Sequence, residues 1–469
     1  MARQTTTPLQ VSAQRFLTRR MIHALVRRDV AMQDDPLRAQ SLSLVAGGVL
    51  GAIAIAACAV LALIRPQGVP ESAPIVLARD SGALYVRVGD TLHPVLNLAS
   101  ARLIARSASN PVAANETSIA QAKRGPLVGI PGAPASIGRP VAPRDWMVCD
   151  AERTIVTVGN AAPDRFDASR AVLVTPRGEG AAITYLLYDG HRARVDLRDT
   201  AVVRALRLDA VVPRTVSRTL LDLVPEVPEI TAPRIDGAGA VGPTALGGAR
   251  VGAVVRVLRA DAAGDENAEH YVVLADGVQS VGEVAADLVR FTYDRNVGPV
   301  RTVSPVAIAA TPVVTTLKLN TLPTRARPPL GLDDGLAVCA AWHHGGSTNA
   351  SNTVVLTTDS GQIDEPAGVM LAQADGPGPN VDAVDLPVGT SGHVRSARIV
   401  GDDGATGAQF LVAESGVVFG VHDDDAAKAL GLGNAPGVAP WPILAHLPRG
   451  PELSIDAASV GRDGFPAPS

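Results

Sequence analysis

The sequence is poor in aromatic residues, which make up 3% of 469 positions, and it holds only three cysteines. So few cysteines exclude a disulfide-dense mini-protein scaffold. Lysine is nearly absent too, confined to Lys123, Lys318 and Lys428, so arginine carries almost all the positive charge. The formal net charge is only −4. Neutralising many phosphates needs a basic excess, so a whole-chain nucleic-acid binder is excluded. Catalytic signatures are missing as well. No G-x-x-x-x-G-K-[ST] loop, no H-E-x-x-H and no G-x-S-x-G occurs. The segment Gly237-Ala238-Gly239-Ala240-Val241-Gly242 matches G-x-G-x-x-G, but Pro228, Pro233 and Pro243 surround it. It is read as a flexible loop rather than a nucleotide cradle. The acidic runs Asp402-Asp403 and Asp423-Asp424-Asp425 lack the alternation of a calcium loop and read as solvated turns, the second as a helix N-cap.

What is abundant is small and aliphatic. Hydrophobic residues reach 46%, with 45 Gly and 36 Pro, and the mean hydropathy is positive at +0.19. Many Gly and Pro favour short elements and loops over a helical bundle. Part of the hydropathy is local. From Leu44 to Ile64 the chain carries no charge, and about 20 apolar residues suffice to cross a bilayer as a helix. Arg3, Arg15, Arg19, Arg20, Arg27, Arg28 and Arg38 precede this span, which sets the N-terminus on the cytoplasmic side and the bulk of the chain outside. The long leader and long apolar run favour an uncleaved anchor over a signal peptide. Ile55-Ala56-Ala57-Cys58 has the form of a lipobox, but the apolar run continues past it, so Cys58 reads as a small intramembrane residue.

Before the span, Val11, Phe16, Leu17, Met21, Leu25 and Val26 recur at helical spacing among arginines, with Ser12 as the expected N-cap. Such a basic amphipathic helix fits anionic lipid headgroups or a partner subunit, through Arg15, Phe16, Arg19, Arg20 and Arg27.

The two remaining cysteines, Cys149 and Cys339, sit in apolar strand-like contexts on the outer side, where disulfides form. A bond would close a loop of ~190 residues, worth roughly 5 kcal/mol in the loop-entropy model. Two buried free thiols are the alternative. His343 and His344 follow Cys339 closely, but they would point to opposite faces of a strand and lack a fourth ligand.

Four segments share a hairpin with a Gly turn followed by a helical stretch. The turns fall at Gly82, Gly190, Gly277 and Gly416, and the helical stretches at 98–104, 201–206, 284–289 and 426–430. The fold expected is α+β. It has one N-terminal transmembrane helix and an elongated extracytoplasmic region with a β-rich central core and four small hairpin-helix repeats. The boundaries are a cytoplasmic helix at 1–41, the transmembrane helix at 42–65, and repeat one at 66–110. The core occupies 111–165 and 301–390. Repeat two spans 166–220, a linker 221–250, repeat three 251–300 and repeat four 391–435. A Pro-rich tail, 436–469, is expected to wrap the core as extended chain.

The order of these features resembles the EccB family, a core membrane subunit of actinobacterial type VII (ESX) secretion systems. The resemblance rests first on Val11-Ser12-x-x-Arg15-Phe16-Leu17-x-Arg19-Arg20-Met21-x-His23-Ala24-Leu25-Val26-Arg27 and on Asp34-Asp35-Pro36-Leu37-Arg38-Ala39-Gln40-Ser41. Further along it rests on Arg65-Pro66-Gln67-Gly68, Gly129-Ile130-Pro131-Gly132-Ala133-Pro134, Trp146-x-x-Cys149 and Val338-Cys339-x-x-Trp342. It implies a single-pass inner-membrane protein with a disulfide mapping to Cys149 and Cys339. The implied role is a scaffold working with EccC, EccD, EccE and the mycosin protease, as a homo-oligomer within that complex. No cofactor, metal or nucleic acid is implied. Family members are often labelled ATPases, and an extracytoplasmic ATPase or a cell-wall- or substrate-binding module is the alternative role. With no nucleotide-binding motif in the chain, the non-enzymatic reading is favoured.

Overall fold

The computed structural model describes residues 7–28, 36–64, 73–159, 167–178, 183–258, 268–294, 298–326, 328–332, 335–345, 351–359, 368–400, 407–433 and 435–462. The chain divides into two compact units, 1–71 and 72–469.

The first unit is helical. Helix α1 covers Pro8–Arg27 and is capped by Thr7, not by Ser12. Pro8 suits the first helical position, since its missing N–H would be unpaired there anyway. The Thr7 amide donates to Gln10 Oε1 at 3.1 Å, while the Ser12 hydroxyl turns back to the Leu9 carbonyl inside the helix. Helix α2 runs over Pro36–Ile64, 29 residues. It starts before the span read from sequence, and its most apolar stretch is Ser41–Leu61. Ser41 and Ser43 are uncharged, so they do not end the apolar run. Among the described residues, α2 is the one helix long and apolar enough to cross a membrane.

Among its described residues, the second unit contains five sheets. The first comprises β1 (Ile75–Ala78), β2 (Leu84–Val88), β3 (Thr91–Val95), β4 (Val112–Ala114) and β5 (Lys123–Arg124), with α3 (Leu98–Ala105) and α4 (Glu116–Gln121) as crossovers. Strands β6 (Arg139–Val141), β7 (Asp145–Asp150) and β8 (Thr154–Val158) follow. The second sheet has β9 (Val172–Pro176), β10 (Thr184–Tyr188), β11 (His191–Val195), α5 (Thr200–Ala205), β12 (Arg214–Val216), α6 (Arg218–Leu223) and β13 (Glu226–Val227). The third has β14 (Val254–Val257), β15 (Glu269–Val273), β16 (Val278–Val281), α7 (Glu283–Tyr293), β17 (Arg301–Thr302) and α8 (Pro305–Ala309). The chain then returns through β18 (Leu336–His344), β19 (Ser351–Asp359), β20 (Val369–Met370) and β21 (Ala383–Asp385). Last come β22 (Thr390–Ala397), β23 (Gln409–Val412), β24 (Val418–Val421), α9 (Asp424–Leu430), β25 (Gly437–Pro440), α10 (Trp441–His446) and α11 (Ile455–Ala458).

One connectivity recurs in four of these sheets. Three strands form an antiparallel meander, as in β9-β10-β11. A helix then carries the chain across to a strand parallel to the first of the meander: β4 on β1, β12 on β9, β17 on β14 and β25 on β22. A second helix crosses back to a segment parallel to the third. Strands β5 and β13 do this in the first two sheets. Val313 beside Val278, and Arg449 and Leu453 beside Val418 and Val421, do so in the others. Parallel neighbours require such crossovers, whereas the meander needs only tight turns.

This corrects the repeat read from sequence in three ways. The turn before the helix is at Gly89 in the first sheet, because Gly82 joins β1 to β2 and a third strand follows. Its counterparts are Gly190, Gly277 and Gly416. At Gly190 a side chain is doubly barred: φ is +74, and a Cβ would meet the Thr353 carbonyl oxygen at 2.2 Å. Second, β4 and β5 belong to the first sheet, so the core does not begin at 111, and β13 carries the second sheet past 220. Third, the Pro-rich tail is not plain extended chain. Its β25 completes the fourth of these sheets, and two short helices follow. Hairpin signals mark only the meander, so the later strands were invisible to that pattern. The loop 237–242 is likewise held rather than free: Gly239 and Gly242 donate to the carbonyls of Val251 and Ala249 at 2.9 and 3.1 Å.

The central sheet runs β19-β18-β7-β8-β21-β20. One face supplies the largest apolar cluster, which also takes Val172, Val174, Leu187 and α6 from the second sheet and Val394, Val412, Val438 and α10 from the last. A second cluster joins Ala99 and Leu103 of α3 to Phe419, Leu430 and Ala458. A third joins Val202 and Ala205 of α5 to Val284 and Leu288 of α7. The packing order is therefore first sheet, last sheet, centre, second sheet, third sheet. The Gly129–Pro134 motif seals the first junction: the Asn97 amide donates to the Ile130 carbonyl at 2.8 Å, and the Ile130 amide donates to Ser100 Oγ at 2.9 Å.

Candidate functional site: the cross-linked centre and its buried charges

The centre is built on the pairing of β7 with β18, in which Cys149 lies opposite Cys339 and Trp146 opposite Trp342. Both motifs space Trp and Cys three residues apart, so aligning one pair in an antiparallel ladder aligns the other. A separation of three also places Trp and Cys on opposite faces of the strand. Trp146 and Trp342 accordingly enter the main cluster. Cys149 and Cys339 form a small cluster with Met147 and Leu356 on the other face. The two cysteines are joined by a disulfide with a Cα–Cα distance of 4.1 Å, across 190 positions of sequence. Trp146 Nε1 donates to the Val438 carbonyl at 2.8 Å, tying the last sheet to the centre. Trp342 stacks on His344 with ring centroids 5.9 Å apart.

Just beyond the disulfide, β7 ends on a buried charge that sequence reading missed. Asp150 has no exposed surface. Its Oδ1 accepts from the Thr154 hydroxyl at 2.7 Å and its Oδ2 from the Ser217 amide at 2.5 Å. The Arg177 guanidinium donates to Thr154 Oγ1 at 3.1 Å and to the Ala151 carbonyl at 2.8 Å. Asp382, also fully buried, accepts from the amides of Thr154, Asp375 and Gly376 at 2.7–2.8 Å. Burial raises the Asp150 carboxyl above its ordinary pKa, and the attraction of Arg177 works against that rise. No local sequence signal announces the node, because its members come from four separate segments.

The other residues singled out from sequence are scattered. His343 is exposed and pairs with Asp145, whereas His344 is buried on the opposite face beside Ser351. Burial lowers the His344 pKa, with Arg144 and His343 adding to the effect. Among the described residues, no group of three or more His, Cys, Asp or Glu could hold a metal ion. Asp423 caps α9, accepting from the Ala426 amide at 2.7 Å. Arg15, Phe16, Arg19 and Arg20 lie exposed on α1, and Arg27 is its last residue. Cys58 is exposed on α2.

The family model described as "Type VII secretion system ESX-1, transport TM domain B" matches residues 3–467. The chain is 35% identical to the "ESX-3 secretion system ATPase EccB3" of Mycolicibacterium smegmatis, covering 97% of this chain and 90% of that protein. It is 34% identical to the "ESX-5 secretion system ATPase EccB5" of Mycobacterium tuberculosis, covering 98% and 94%. Among solved structures it resembles a chain of an intact ESX-5 inner membrane complex, with a TM-score of 0.69 and 30% identity over 100% of this chain and 98% of that one. It also resembles a chain of the EccB3 dimer from the ESX-3 core complex, with a TM-score of 0.69 and 33% identity over 82% and 100%.

Two measurements test the centre. Peptide mass spectrometry under non-reducing conditions is expected to recover Cys149 linked to Cys339, and the double Ser variant to lose up to roughly 5 kcal/mol of stability; two freely alkylatable thiols would contradict this. For the node, Arg177→Met leaves Asp150 buried without its counter-charge and is expected to cost about 3–5 kcal/mol. The sign with pH follows from the raised folded-state pKa. Above the unfolded value the folded carboxyl keeps a proton that the unfolded chain has released, so its contribution falls as pH rises through that window. Denaturant titrations of the full chain in detergent should show that downward slope in the parent and lose it in Asp150→Asn; parallel slopes would count against it.

The family match reaches from residue 3 to residue 467, and the chain belongs to the EccB family of type VII (ESX) secretion system core membrane subunits.

Proposed function

We propose that this chain is a structural core component of a type VII secretion membrane complex, scaffolding the inner-membrane channel and its extracytoplasmic assembly. The observation that carries this is the end-to-end likeness to a chain of an intact ESX-5 inner membrane complex. The four recurring sheets are then one repeated module, and the cross-linked central sheet is the body that holds them. Helix α2 is the single span. The arginine-rich leader keeps the N-terminus cytoplasmic, and the second unit lies outside. EccC, EccD, EccE and the mycosin protease are the expected partners, with a further copy of this chain beside it. The likeness to a chain of an EccB3 dimer supports that last point. The curated relatives are named ATPases, but this chain carries no P-loop, and the scaffold reading needs no turnover.

The leader helix has its own part. Between Pro8 and Arg28 there is no acidic residue. Phe16, Leu17, Met21 and Leu25 are exposed, beside Arg15, Arg19 and Arg20. Helix α1 ends on its C-cap Arg28 and α2 begins at Pro36. Such a short tether reaches about 25 Å at most, so α1 stays near the bilayer surface. This favours acidic headgroups as its contact.

Clean deletion of the gene is expected to abolish export by its secretion system, and affinity purification of the tagged chain from detergent to bring down other membrane subunits. Normal secretion without the chain would sink the scaffold role. For α1, hydrogen exchange of the full chain in vesicles should show protection at 8–27 with anionic lipid, lost in neutral lipid and in the Arg15/Arg19/Arg20→Gln variant. Protection indifferent to lipid charge would refute lipid docking.

A further inference from the structure

The second sheet is rich in arginines, and most of them are spoken for. Arg192 holds Asp222 and Glu226, Arg194 holds Glu226, Arg198 holds Asp196 and Arg207 holds Glu283. Arg204 and Arg218 have no side-chain partner among the described residues, but Arg170 and, from outside the sheet, Arg325 are set apart by a shared cleft. Arg170 and Arg325 both line a cleft of about 170 Å³ between the start of β9, the second sheet's turn and the 323–326 segment. Among the described residues neither forms a hydrogen bond or an ion pair. Arg170 acts on Asp167 only as the weakest of several influences on that carboxyl.

The walls that carry these two side chains are pinned. The Glu283 amide donates to the Thr324 carbonyl at 2.9 Å, and the Ala326 amide donates to Glu283 Oε2 at 3.3 Å. The Leu330 amide donates to the Ala171 carbonyl at 2.9 Å. Tyr188 donates its hydroxyl to the Thr321 carbonyl from within the lining. Burial and the nearby Asp189 push its phenol up to about 12, so it stays a neutral donor. Ser169 and Thr324 add hydroxyls to the lining, and Asp189 adds one carboxylate against two guanidinium groups. Both arginines are exposed at the cleft, so their side chains are free to turn towards an anion at its mouth, and two guanidinium groups beside one carboxylate leave the site net positive.

We propose that this cleft is a binding site for a small oxyanion, carboxylate or phosphate, held by the guanidinium forks of Arg170 and Arg325. Planar forks suit both chemistries, because each presents paired N–H donors to two oxygens. The volume lies below the ~300–1,000 Å³ of ordinary ligand pockets. The ligand is therefore an ion or the acidic end of a larger molecule, and a nucleotide does not fit within it. The site also sits where the second sheet meets the segment leading from the third, so an occupant would brace that junction.

Isothermal titration calorimetry of the full chain in neutral detergent tests this, with inorganic phosphate in one arm and succinate in the other. Saturable one-site binding is expected in at least one arm, and the arm that responds identifies the anion chemistry. Arg170→Gln and Arg325→Gln should each weaken it at least about tenfold. Thr324→Glu, which adds a carboxylate at the mouth and leaves both arginines in place, should abolish it. Arg449→Gln, in the last sheet, should bind as the parent does. Failure to saturate in both arms, or equal affinity in the parent and all three cleft variants, would overturn the proposal.

Discussion

Everything in the second unit hangs on one pairing, that of β7 with β18, because it brings together segments 190 positions apart and closes them with a covalent bond. The second and third sheets lie wholly within the loop so closed. Long-range strand pairing carries a loop-closure cost before any contact rewards it. The tryptophan pair on one face and the disulfide on the other meet that cost at two rungs of the ladder, three residues apart. Without this register the main apolar cluster would lose both of its largest side chains, Trp146 and Trp342, which are each 1% exposed.

The buried charges beside the disulfide rung serve as connectors. Asp150 and Asp382 sit without solvent, and each accepts from a backbone amide of another segment, Ser217 for Asp150 and Thr154 for Asp382. A buried carboxylate is tolerable only when its lone pairs are met in this way. The cost of desolvation makes the arrangement discriminating: a shift of β9 or of the turn at 375–376 by one residue would strand a charge rather than merely loosen a contact. Specific geometry at the joint between the centre and the second sheet is what this chemistry secures.

Much of this was legible from residues and some was not. The apolar run that forms α2 is a composition signal and survives any context. The equal spacing in Trp146-x-x-Cys149 and Cys339-x-x-Trp342 contained the register of the central ladder. The Gly turns marked meanders, because a hairpin is a local object. The crossover strands were hidden, since β4, β5, β13 and β17 are only two or three residues long and acquire their state from a parallel neighbour far away in sequence. Asp150 and Arg177 were hidden for a related reason: nothing near either residue says that it is buried. The N-cap of α1 was misread because Ser12 is a good cap in isolation, but Pro8 fixes an earlier start.

The order of sheets along the chain differs from their order in space. The second and third sheets are neighbours in both, whereas the first packs on the last. The tail completes this contact: Arg462 donates from its amide to the Leu127 carbonyl at 2.7 Å and from its side chain to Gly129 at 2.9 Å. A chain emerging N-terminus first therefore has all strands of its earliest sheet but waits for its final residues to cover that sheet's α3 face fully. The last turn of synthesis acts as a seal of completeness. A copy that stops before Leu453 keeps α9 against α3 but loses Leu453 and Ala458 from the shared apolar cluster, so part of that helix is left open to proteases and chaperones.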